Sequence, residues 1–176
     1  MQNDYYAGMF VFDLSDMSVL ALSDSKYPED LKATGGMFKT GDKSIRDTAC
    51  RECIEEGQTR VTKSTLVFVE TLNNRHGVHK KYFFLSDEVS NTLAKGATWQ
   101  GEEKENGRVV EKFITRWVSF PEFVKKLFDK QYPAFGAVLA ELARRNPDLL
   151  TSSRFCELME RFPEPEDLGL QGVCVD

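Results

Sequence analysis

The residues with the clearest chemical potential lie between positions 35 and 58, in GGMFKTGDKSIRDTACRECIEEGQ. Four of them, Arg51, Glu52, Glu55 and Glu56, fall where the spacing predicts a helix. At about 100° per helical residue, Glu52 and Glu56 point nearly the same way, and Glu55 stands about a quarter-turn aside. Carboxylates crowded on one helical face repel one another, so the pattern costs stability unless a cation neutralises it. Hard oxygen donors from a single helix suit Mg²⁺, which keeps several waters and binds substrate phosphates. The plain alternative is a solvated acidic face, and spacing alone leaves both readings open. Upstream, Gly35 and Gly36 permit φ > 0 and a close approach of main chain to phosphate or metal; a plain loop is the other reading.

This segment resembles the signature of the Nudix hydrolases, G-x5-E-x7-R-E-U-x-E-E-x-G-U, with U a bulky aliphatic residue. Gly36 fills the first glycine, Asp42 the first glutamate, and Arg51-Glu52-Cys53-Ile54-Glu55-Glu56 the R-E-U-x-E-E half. The departures are specific. Asp42 replaces Glu, and residues 43–50 make the following spacer one residue longer than the pattern. Gln58 stands where glycine is expected, with Gly57 one place early, and Thr59 replaces the last aliphatic residue.

The resemblance implies an α/β/α sandwich with a mixed β-sheet. It implies attack of water on phosphorus in a nucleoside diphosphate linked to another moiety, with Mg²⁺ or Mn²⁺ as cofactor. Glu52, Glu55, Glu56 and the main chain of Gly36 would hold the metal. Glu55 or Glu56 would serve the attacking water, and Arg51 would pair with a carboxylate, Asp42 being the candidate, to fix the loop to the helix. Gly35, Gly36, Glu103 and Trp117 are the candidate substrate contacts. The competing class is a Nudix-like module that binds a nucleotide without cleaving it; loss of Glu52, Glu55 or Glu56 would mark it, and all three are present.

Elements must position these residues. Apolar and aromatic runs predict strands at 5–12 and 18–23, joined by a turn, then a polar loop to residue 34. In the helix, Asp42 or Ser44 can cap the start, and Ile45 and Ala49 lie in line with Glu52 and Glu56. Strands follow at 61–71 and 79–86, with 72–77 as their loop, and the pair Phe83-Phe84 predicts burial on both faces. Residues 90–107 read as a polar loop carrying Glu102, Glu103 and Glu105, either solvated or lending a carboxylate to the site. A strand at 109–118 ends near Trp117, which suits a core position or a base-stacking one. Helices are predicted at 120–128, 134–145 and 152–161, with Pro147 ending the second.

The 176 residues suffice for one domain with a core. Residues 1–146 read as the Nudix-type domain, and 147–176 as a C-terminal helix and tail without an assigned role. A net charge of −5 gives no general attraction to nucleic acid or membrane. It favours a small nucleoside diphosphate derivative held through cations, of ADP-ribose or nucleotide-sugar type, over a capped RNA end. The start, MQNDYY, lacks the basic and apolar pattern of a signal peptide, so a cytoplasmic location is expected. Cys50-x-x-Cys53 and His76-x-x-His79 mimic a split zinc site, but the spacing is poor and both cysteines fall within the helix as small apolar residues.

Overall fold

Successive residues of the first strand serve two different cores. The computed structural model describes residues 5–176. In chain order the elements are β1 (Tyr5–Asp13), β2 (Ser18–Asp24), β3 (Thr34–Met37), α1 (Ile45–Gly57), β4 (Arg60–Asn74), β5 (Gly77–Asn91), β6 (Thr98–Glu105), β7 (Arg108–Ser119), α2 (Phe120–Lys125), α3 (Tyr132–Arg145) and α4 (Ser153–Arg161). Along β1, Ala7, Met9 and Val11 pack with Ala49 and Cys53 of α1, whereas Phe10 and Phe12 pack with Phe123, Phe135 and Leu139 of α2 and α3. Strand side chains alternate between faces, so an apolar residue at every position requires cover on both sides. Phe83 and Phe84 divide between the two cores in the same way.

The strands run β4-β5-β1-β2-β7-β6, with β3 added to β1. β1 is parallel to β5 from Tyr5 to Val11 and antiparallel to β3 over Tyr6 to Met9. Only Phe12 and Asp13 at its end pair with β2. The remaining neighbours are antiparallel, so the sheet is mixed. With α1 on one face and α2, α3 and α4 on the other, the architecture is an α/β/α sandwich, as the resemblance implies.

Two expected loops are strands. Residues 98–105 form β6, paired with β7 through a turn in which Asn106 (φ 51°) and Gly107 (φ 77°) both take the left-handed conformation. Asn-Gly suits such a two-residue hairpin turn, and strand pairing satisfies backbone groups that a polar loop leaves to water. Likewise β4 and β5 extend until Asn74 pairs with Gly77, which shortens the expected loop at 72–77 to a tight turn.

The last thirty residues pack onto this frame. Phe155 and Phe162 are buried in the α3-side core. Farther on, the Leu168 carbonyl accepts from Val69 N–H (3.2 Å) and the Val175 carbonyl from Arg46 N–H (3.3 Å). Among the described residues, no helix is long and apolar enough to cross a membrane.

Candidate active site

β3 and α1 meet at the acidic residues. Ser44 caps α1, accepting from Asp47 N–H at 3.0 Å. Asp42, the other capping candidate, serves Arg51 instead. Arg51 grips it in two-pronged fashion, Nε to Oδ1 at 2.8 Å and Nη2 to Oδ2 at 3.0 Å. Arg51 Nη2 also donates to the Met37 carbonyl (3.0 Å), while Nη1 donates to Glu52 (2.6 Å) and Glu55 (3.1 Å). The guanidinium therefore ties the end of β3 and the loop to the helix, despite the extra residue in the spacer. It holds the Asp42 carboxyl down to about 2.

Gly35 and Gly36 differ from the expected turn. They lie within β3, paired with Gly8 and Ala7, and neither has a positive φ. Their lack of a side chain is needed for close approach. A Cβ on Gly36 would overlap the Glu52 carboxyl group, and one on Gly35 would overlap the Tyr6 hydroxyl. The Gly35 N–H donates to Glu56 Oε1 at 2.7 Å. Main chain thus runs against both carboxyl groups.

Burial pushes the Glu56 carboxyl well above the ordinary range, and the charge of Glu52 pushes it further. Burial also raises Glu52, with the Arg51 guanidinium opposing. The Tyr6 hydroxyl, beside both, is kept protonated by burial and by their charges. Glu55 stands apart on the rim, its side chain 47% exposed, held by Arg51 and near Lys39 (3.5 Å). Among the described residues, no three His, Cys, Asp or Glu side chains converge as a ready metal cage. The donor set that fits a hard divalent cation is the Glu52–Glu56 pair, desolvated and mutually repelling, beside the bare main chain of β3.

Comparison with known proteins gives the family. The NUDIX domain profile matches residues 4–139. The chain belongs to the Nudix hydrolase family. Its reaction class is accordingly that of a pyrophosphohydrolase. Similar solved structures include a MutT NUDIX hydrolase from Burkholderia pseudomallei, with 16% identity and TM-score 0.50 over 74% of this chain and 93% of that one. Another comes from a study of MutT from Aliivibrio salmonicida and Vibrio cholerae, with 15% identity and TM-score 0.53 over 80% and 98%. At such identities the likeness is one of fold. No curated protein matches the chain.

The remaining residues of this Nudix chain sort by position. Glu103 lies on β6 and its charge bears on Glu56. Trp117 is occupied: its indole N–H donates to the Leu93 carbonyl (2.8 Å), Lys95 sits 4.4 Å from the ring centre, and the ring joins the α1-side core. That arrangement is the core reading and leaves little free ring for a base. Cys53 is buried in the same core with Cys50 against it, while His76 occupies the β4–β5 turn. Sequence reasoning missed Trp99, whose indole N–H donates to the Glu55 carbonyl at 3.2 Å. It also missed Lys32, paired with the buried Asp24 and bearing on Glu56. Alternation of Trp99, Gly101 and Glu103 along one strand was the available signal.

Proposed function

We propose that this Nudix protein is a Mg²⁺- or Mn²⁺-dependent hydrolase of a nucleoside diphosphate linked to a further group, of ADP-ribose or nucleotide-sugar type. The observation that carries the reading is the Glu52–Glu56 pair, both carboxyls raised by burial and both closed in by glycine main chain. Such a pair is destabilising alone and is relieved by a divalent cation and the phosphates it brings. Glu52 and Glu56 would hold the metal beside the Gly36 main chain. When bound, the metal screens the pyrophosphate charge and lowers the pKa of water.

The protein's own residues do the rest. The Gly35 N–H fixes one oxygen of Glu56 and leaves the other to the site. Arg51 stays protonated and keeps loop, strand and helix in register. Glu55 already accepts from Arg51, which engages one of its oxygens. Among the described residues Glu103 has no such cationic partner in its hydrogen bonds and ion pairs, and it is the preferred acceptor of the water proton.

The test is a panel of ADP-ribose, ADP-, GDP- and UDP-sugars with Mg²⁺ or Mn²⁺, read as phosphate released after phosphatase coupling. Turnover that disappears with chelator is expected. Undiminished turnover in excess chelator overturns the metal-dependent reading; tight binding without turnover across the panel favours the binding module.

A further inference from the structure

A second polar surface faces the same space as the α1 carboxylates. Register and strand alternation put Asp24 of β2, Phe113 and Glu111 of β7, and Gly101 and Glu103 of β6 on one face of the sheet. That face looks toward α1, because Trp99, on the same side of β6, bonds to the Glu55 carbonyl. A Cβ on Gly101 would fall into the Phe113 ring, so this half-buried ring lies across bare main chain. Beside it the Glu111 carboxyl meets that of Asp24, and Lys32 neutralises Asp24. Thr115, next along the same face of β7, is fully buried with its hydroxyl unpartnered among the described residues. The charges of Glu103 and Lys32 both reach Glu56, so this surface adjoins the reacting end of the site.

We propose that this surface is the base subsite, where a planar nucleobase stacks on Phe113 and donates hydrogen bonds from its amino group to Glu111. The inference rests on the nucleoside diphosphate reading above. Away from the cation that Glu52 and Glu56 would hold, a carboxyl such as Glu111 repels phosphate, so the uncharged end of the substrate belongs beside it. Burial and the hydrogen bond to Asp24 raise the Glu111 carboxyl and turn its proton toward Asp24; its other oxygen only accepts hydrogen bonds, so it selects an amino-bearing base. Uracil offers one N–H flanked by two carbonyl oxygens that a carboxylate repels. A site built around a half-buried acceptor discriminates against a group that leaves it unpaired. Aromatic rings stack any base, so Phe113 supplies affinity and Glu111 supplies selectivity.

Calorimetric titration of the intact chain with ADP, CDP and UDP, Mg²⁺ present, tests this without requiring turnover. CDP and UDP differ at one ring edge, amino against carbonyl. UDP should bind about tenfold more weakly than CDP or ADP. Phe113→Ala should weaken all three about tenfold and leave their ratio intact. Phe113→Leu, which keeps the apolar bulk, should do likewise should the alanine variant fail to fold. Glu111→Gln, whose amide both donates and accepts, should narrow the CDP to UDP ratio to about threefold or less. Equal affinities for CDP and UDP, no effect at Phe113, or no binding at all overturns the subsite. A chain that cleaves nothing in the substrate panel yet keeps these ratios loses the proposed reaction and retains the subsite. One that cleaves without discrimination does the reverse.

Discussion

The two faces of the sheet are built on opposite principles. Toward α2, α3 and α4, Phe10, Phe123 and Phe135 form a cluster with ring centres 5.8–6.3 Å apart. Toward α1, the apolar packing of Ala49 and Cys53 gives way within the same helix to Glu52 and Glu56. The first face gains stability from burial; the second holds desolvated like charges that oppose folding. The stiff face fixes the strands from which the charged face is made, and a site needs such support to hold its geometry.

The largest expected difference is in rate. Glu56→Gln should lower kcat about 10³-fold, since it removes a charge the transition state needs. In chelator its melting temperature should be no lower than the parent's, because a repelling buried charge is gone. Phe135→Ala on the other face should do the opposite. It deletes a fully buried ring and should cost about 3–5 kcal/mol in denaturant unfolding. A Glu56→Gln chain that unfolds as readily as Phe135→Ala would break the comparison.

Two further substitutions divide the charged face itself. Glu103→Gln should lower kcat about 10²-fold with the melting temperature unchanged if Glu103 is the base, while Glu55→Gln has the smaller effect. The reverse order would move the base to the helix. Asp42 is different, because its carboxyl is held near 2 against an ordinary 3.8 by Arg51. A depressed folded-state pKa gives stability that is full above 3.8 and is lost as pH falls toward 2. About 2 kcal/mol should disappear over that window in acid unfolding, and Asp42→Asn should remove the slope. Glu56 carries the opposite sign. Its raised carboxyl makes metal-free protein less stable as pH rises above the ordinary carboxylate range.

Much of this was legible in the sequence. The apolar runs of β1 and the Phe83-Phe84 pair signal two-sided burial, and the R-E-U-x-E-E spacing signals the carboxylate face. β6 was hidden because it is an edge strand of mostly polar, exposed residues, which composition cannot tell from a loop. The Asn106-Gly107 dipeptide was the clue, since both residues must be left-handed in a tight hairpin. With β6 goes the neighbourhood of Glu103, Gly101 and Phe113, which only pairing with β7 reveals. Gly35 and Gly36 were legible as places of close approach; their extended conformation depends on β1, more than twenty residues away in sequence.

The smallest expected effect lies at the end of α1. Gln58 stands where the Nudix pattern has glycine, and it takes φ 51°, ψ 32° as the helix cap. A side chain in that conformation is strained by about 1 kcal/mol, which glycine avoids. The neighbouring Gly57 cannot exchange roles with it, because a Cβ there would press on the Leu20 side chain. Gln58→Gly should therefore stabilise the chain by about 0.5–1 kcal/mol, the gain being trimmed by the added freedom of the unfolded chain. For a chain of this size that is a rise of about 1–4 °C in melting temperature. Gln58 sits two residues past Glu56, so kcat should stay within about twofold of the parent. A fall in kcat with the expected rise in melting temperature would mean that the strained cap sets the aim of Glu56, extending the charged face to the last turn of the helix.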